Sequence, residues 1–245
     1  SALAQPAPAP KKLTPNDVVA SAPASAWRAI PAEDLLVMTL EGGGRVVVQL
    51  APAFAPVHVD NIRRMASGGY WQGANVYRVQ DNYVAQWGDP TEKKPLPDGL
   101  ANVSETDYVY PKSLPRPRAL DGLFVPPNDV SRWTSFHQGF PVAGVGTPDS
   151  ERNWPTHCYG MVGVGRNLSP DSGTGAELYT VIGHAPRHLD RNIALVGRVI
   201  EGIEHLSSLP RGTGPLGFYE KEEERVPITS VRLGNESADL PAFEY

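Results

Sequence analysis

The 245-residue chain carries 22 Lys and Arg against 27 Asp and Glu, a formal net charge of −5, and 40% of it is apolar. That size and apolar content suit one large domain, and the acidic balance, with no basic stripe or aromatic-basic alternation, argues against a nucleic-acid partner. No apolar run approaches the roughly 20 residues a membrane span requires, and the single Cys158 can form no internal disulfide.

At the amino terminus, Ala2-Leu3-Ala4 has the small-x-small form that signal peptidases recognise, so an exported, periplasmic protein is expected. Gln5 to Lys12, rich in proline and alanine, reads as an extended tether. Thr14-Pro15-Asn16-Asp17 has the form of a helix start, with Pro15 tolerated in the first turn and Pro23 as the stop; Trp27 and Ile30 are positioned to anchor the segment before the first strand. Residues 1–31 are thus a tail plus a short helix, and residues 32–245 a domain.

Asp34 to Leu40 and Arg45 to Leu50 flank Gly42-Gly43-Gly44 and carry apolar residues on alternate positions, the pattern of a hairpin. Val57 to Ser67 comes next, where Val59, Ile62 and Met65 or Ala66 recur at helical spacing before Gly68-Gly69. Val76 to Pro90 then reads as two short strands around Asp81-Asn82, with Arg78 in the first and Gln86 in the second. Period two puts Val76 with Arg78 on one face, and Val84 with Gln86 on one face, a half-apolar, half-donor surface fit for a peptide. Asp89 reads as a turn residue rather than an acid.

Thr91 to Thr156 is proline-rich yet contains Trp133, Phe136, Phe140 and Trp154, too aromatic for a simple linker; it is an insertion whose aromatics are expected to form local core. His157-Cys158 could suggest a nucleophile and its base, but adjacent strand residues point to opposite faces, so a buried structural cysteine is expected. His184 and His188 are separated by Pro186, which argues for a loop and no metal. The Gly163-Val164-Gly165-Arg166 and Gly173-Thr174-Gly175 stretches read as turns, and Glu220 to Arg225 as a solvated loop.

The ordered set Tyr77-Arg78-Val79, Tyr83-Val84, Gln86 and Gly88-Asp89 resembles the signature segment of cyclophilin-type peptidyl-prolyl cis-trans isomerases. The preceding hairpin, the helix, Tyr70-Trp71 and Gly73 are similar to that family's opening. Downstream, Tyr159 to Gly165, Glu177 to Gly183 and Ile193 to Val199 resemble three further strands, with Leu189-Asp190 and Gly197-Arg198-Val199 in matching places. The likeness covers residues 34–90 and 157–209.

The resemblance implies a mainly β fold, a cyclophilin-like closed barrel of about eight antiparallel strands capped by helices. It implies prolyl isomerisation that assists the folding of exported proteins, without cofactor or metal, by a monomer whose partners are proline-containing segments of client proteins. Arg78 would donate to the prolyl amide, and Gln86 would hold a substrate carbonyl or Arg78 itself. Tyr83, Val84, Tyr179 and Leu189 would grip the proline ring, with Glu177 also in the substrate site. For Tyr83 to join Val84 and Gln86, the chain must bend near Asn82. Tyr83 and Val84 stand where many relatives carry phenylalanine and methionine, Glu177-Leu178-Tyr179 where they carry glutamine-phenylalanine-phenylalanine, His188 for tryptophan and Ile193 for histidine. Those departures imply a more polar pocket and reduced or redirected turnover; the alternative is a non-catalytic proline-peptide-binding or scaffolding module on the same fold.

Overall fold

The computed structural model describes residues 11–110, 131–145 and 152–245. The Ala2-Leu3-Ala4 triplet and most of the proline-alanine tail lie outside the described residues. In chain order the elements are α1 (Pro15–Ala20), β1 (Leu35–Leu40), β2 (Arg45–Leu50), α2 (Pro56–Ser67), β3 (Asn75–Val79), β4 (Val84–Gly88), β5 (Trp133–His137), β6 (Phe140–Val145) and β7 (Arg152–Pro155). They continue with β8 (Met161–Val164), β9 (Leu178–Val181), β10 (Leu195–Glu201), α3 (Glu204–Ser207) and β11 (Val226–Leu233).

Eight of these strands close into a barrel in the order β1-β11-β3-β4-β9-β8-β10-β2, with β2 pairing back onto β1 and every neighbouring pair antiparallel. Alternation sorts the side chains. Leu36, Met38, Val46, Val48, Ala85, Trp87, Val162, Val164, Leu178 and Val196 point inward, and Val59, Ile62, Met65 and Ala66 of α2 complete the same core. Pro56 starts α2 because the first-turn N–H it lacks has no helical partner anyway. Each large side chain buried there contributes about 1.5–3 kcal/mol. Buried polar groups on α2 tie down a neighbouring loop: His58 Nε2 donates to the carbonyls of Ser172 and Gly173, and Asn61 Nδ2 to those of Ala101 and Thr174.

The outward apolar residues are covered in three ways. Leu35 and Val47 lie under Leu240, Phe243 and Tyr245 of the carboxyl-terminal segment, beside Ile30. Met161 and Leu195 lie under a separate three-stranded sheet, β5-β6-β7, through Phe140 and Val142. Val84, Tyr179 and Val181 have the partly buried Tyr83, Leu189 and Ile193 packed against them, and there a groove opens.

Four expectations need correcting. Val76 and Arg78 do not share a face: Val76 pairs with Trp87 and Arg78 with Gln86, so Tyr77 is an extra residue in a β-bulge that turns Arg78 outward while Val76 stays in the core. Gly163 and Val164 belong to β8 rather than to a turn, because their neighbour β9 pairs with them. His157 and Cys158 come after β7 and are not strand residues; Cys158 is half-buried. Among the insertion's aromatics, Phe140 and Trp154 are core, but Phe136 is 77% exposed, since strict alternation along the outer strand β5 turns it to solvent.

Candidate active site

Arg78 is fixed on a rigid element from several sides. Its Nε donates to the Leu216 carbonyl at 2.7 Å, Nη1 to Gln86 Oε1 at 3.0 Å and Nη2 to Gln80 Oε1 at 2.6 Å. The guanidinium carbon lies 5.3 Å from the centre of the Phe218 ring and 5.8 Å from that of Tyr83, distances at which an aromatic face attracts a cation. Burial lowers its pKa from the ordinary value, yet a guanidinium keeps its charge at neutral pH. N–H groups on Nη1 and Nη2 remain for a ligand.

Arg78, Gln86, Tyr83, Val84, Tyr179 and Leu189 line one groove of about 330 Å³, together with Ile193 and Phe218. Tyr83 reaches it because Asn82 takes φ 50°, a left-handed conformation that asparagine tolerates, which supplies the bend the sequence requires. Its ring stacks on His188 at 6.3 Å and 15°. Tyr179 presents its ring while its hydroxyl is drawn back 2.7 Å from His157 Nε2, so the substitution of tyrosine there leaves the wall apolar rather than more polar.

Glu177 is not among the groove residues. It lines an adjoining cavity of about 310 Å³ that shares Gln86, Glu92, Gly165, Arg166 and Asn167 with the groove. Glu177 Oε1 accepts from the Asp89 backbone N–H at 2.9 Å and Oε2 from the Tyr77 hydroxyl at 2.7 Å; Tyr77 in turn accepts from Gln86 Nε2 at 2.8 Å. Gly88 makes room for this carboxylate, since a Cβ there would lie 2.0 Å from Oε2. Burial, helped by the negative charges of Asp89 and Glu92, outweighs these hydrogen bonds and pushes the Glu177 pKa up to about 7. Burial, with Glu177 beside it, likewise pushes the Tyr77 phenol up.

Sequence reasoning missed Tyr77, because strict alternation turns it away from Arg78 and nothing in the residue types signals a bulge. Leu216 and Phe218 were missed because they lie in the Pro210 to Phe218 loop, beyond the matching segments. Asp89 is a turn residue: its carboxylate accepts the backbone N–H groups of Thr91, Lys93 and Lys94. His157 and Cys158 form no nucleophile-base contact, since both imidazole nitrogens face Asp190 and Tyr179 and the thiol lies 3.3 Å from Thr156 Oγ1. Among the described residues, no group of three or more His, Cys, Asp or Glu is placed to hold a metal, and no helix is long and apolar enough to cross a membrane. The arrangement offers a fixed cation beside an apolar wall, suited to stabilising a change in charge distribution.

The family model for cyclophilin type peptidyl-prolyl cis-trans isomerase/CLD matches residues 35–233. A probable peptidyl-prolyl cis-trans isomerase of Brucella suis biovar 1 is 21% identical over 188 residues, 74% of each chain. A peptidyl-prolyl cis-trans isomerase of Arabidopsis thaliana is 26% identical over 200 residues, 78% of this chain and 71% of that one. The crystal structure of a cyclophilin from Hirschia baltica superposes with a TM-score of 0.64 at 24% identity, covering 94% of this chain and 84% of the other, a likeness of fold.

Proposed function

The chain belongs to the cyclophilin-type peptidyl-prolyl cis-trans isomerases, and from that premise we propose that Arg78 stabilises the twisted prolyl amide while Tyr83, Val84, Tyr179 and Leu189 hold the proline ring. Its activity is the interconversion of cis and trans bonds preceding proline. That rotation costs about 18–20 kcal/mol because it breaks the resonance of the amide. As resonance is lost, the lone pair returns to the nitrogen, which becomes pyramidal and able to accept a hydrogen bond. A donor fixed in advance beside that nitrogen favours the twisted state over both planar ones.

The observation that carries this reading is the anchoring of Arg78 by Leu216, Gln80 and Gln86 with N–H groups left beside the apolar wall of the groove formed by Val84, Tyr179 and Leu189. The bonds hold the guanidinium without neutralising it, so little reorganisation accompanies the reaction. The apolar wall immobilises the ring, leaving rotation to the segment before it. No proton transfer or covalent intermediate is required. The clients expected from residues 2–4, proteins that fold after export, belong to the same proposal; recovery of the protein from a periplasmic fraction is the observation that supports it. Loss of catalysed exchange in a folded Arg78→Ala variant tests the role of the arginine.

A further inference from the structure

We propose that His157 and Asp190 form a buried positioning pair which sets the wall of the proline groove by fixing the orientation of Tyr179. This rests on the reading of the groove given above and adds two residues to which that reading assigns nothing. Neither the His157 nor the Asp190 side chain is exposed. Asp190 Oδ1 accepts from the His157 backbone N–H at 2.9 Å and faces His157 Nδ1 at 3.0 Å, while Oδ2 accepts from Trp154 Nε1 and Arg187 Nε. On the far side of the imidazole, Nε2 lies 2.7 Å from the Tyr179 hydroxyl.

The direction of each bond follows from the chemistry. Against the upward push of burial, the hydrogen bonds from His157 and Arg187 hold the Asp190 carboxyl below its usual range, so it is an acceptor only. His157 Nδ1 must therefore carry the proton. Burial outweighs the attraction of Asp190 and keeps the imidazole neutral, with His188 and Arg187 acting in the same sense. Nε2 is then a bare lone pair, and Tyr179 has to donate to it. The phenol is thus held away from the groove and its ring is held against it.

Independent packing supports the same geometry. The two rings stack at 6.1 Å and 16°, and a Cβ at Gly163 would sit 2.3 Å from Tyr179 Cζ and Oη, so β8 is open where the phenol passes. Asp190 adjoins Leu189, which places the next wall residue under the same control. Through Trp154 and His157, the three-stranded sheet is tied to the groove.

The charged and titratable groups facing His157 are Asp190, Arg187, His188 and Tyr179, with the Tyr83 phenol beyond Tyr179. Protonation of His157 turns Nε2 into a donor and forces the Tyr179 hydroxyl to reverse. The test compares wild type with Tyr179→Phe, which removes one oxygen and leaves the ring. Imidazole nitrogen NMR of the wild type is expected to show His157 as the neutral Nδ1–H form, with the Nε2 resonance shifting in Tyr179→Phe. In proline-peptide exchange assays the variant is expected to raise KM about threefold to tenfold, with a smaller change in kcat. A rise of KM on acidification below the ordinary imidazole range should be present in wild type and absent from the variant. An Nε2–H form, or a variant with wild-type KM and the same acid response, overturns the positioning role. Absence of Arg78-dependent exchange and of peptide binding in wild type overturns the reading of the groove itself, and the proposal with it.

Discussion

Arg78 and Gln86 face each other across β3 and β4, and the guanidinium donates to the Gln86 side-chain oxygen at 3.0 Å. The same amide donates from its nitrogen to Tyr77, which donates to Glu177, so a chain of hydrogen bonds runs in one direction from the cation to the buried carboxylate. Arg78 is therefore positioned by Gln86, which lines the groove beside it, and behind Gln86 by Tyr77 and Glu177, which do not line that groove.

Gln86→Leu breaks that chain at its centre while preserving a side chain of similar size. Exchange catalysis is expected to fall about tenfold to a hundredfold, the effect of a misplaced catalytic group. Peptide affinity should fall less, since the apolar wall is untouched. NMR exchange rates and titrations on the variant check both statements.

Glu177 makes stability depend on pH. Its folded pKa is raised from 4.5 to about 7, so the folded state binds the proton more tightly than the unfolded chain. The resulting stabilisation is complete below about pH 4.5 and is lost as pH rises through about 7. In Glu177→Gln this dependence should vanish, so the difference between the two denaturation midpoints should shift in the variant's favour across that window. Equal slopes against pH for both proteins would contradict the assignment.

Gly163→Ala drives a methyl group into the Tyr179 phenol, with 2.3 Å to its Cζ and Oη. Overpacking of this kind costs about 1–3 kcal/mol. Chemical denaturation should show that loss, and because Tyr179 must shift to relieve the clash, proline-peptide affinity should fall with it.

Much of the barrel is legible in the residues. Leu36, Met38, Val46 and Val48 alternate with the outward residues, and Val59, Ile62 and Met65 recur at helical spacing, because one face of each element must be buried. Tyr83, Val84, Gln86, Tyr179 and Leu189 meet Arg78 in one groove although more than 100 residues separate the first and last of them. The β3 bulge was not legible, since Tyr77 is an ordinary strand residue until the pairing of Val76 with Trp87 and of Arg78 with Gln86 is known. Glu177, two residues before Tyr179, reads as a groove residue because strand alternation puts the two on one face, but it lies just outside β9, and Gly88 leaves room for its carboxylate to turn to the Asp89 N–H and the Tyr77 hydroxyl instead. The support of Arg78 by Leu216 and the draw of His157 on the Tyr179 hydroxyl join segments distant in sequence, which no local pattern encodes.

The most direct measurement is the cis-trans exchange rate of a short proline peptide by NMR, with wild type and with Arg78→Ala, each checked for native fold by circular dichroism. Uncatalysed exchange takes tens to hundreds of seconds, so modest catalysis is visible. Acceleration by wild type that drops by about a hundredfold or more in Arg78→Ala is the expected result. Equal acceleration by both proteins would contradict the role of Arg78, and shifted peptide resonances without acceleration by folded wild type would make the groove a binding site that does not turn its ligand over.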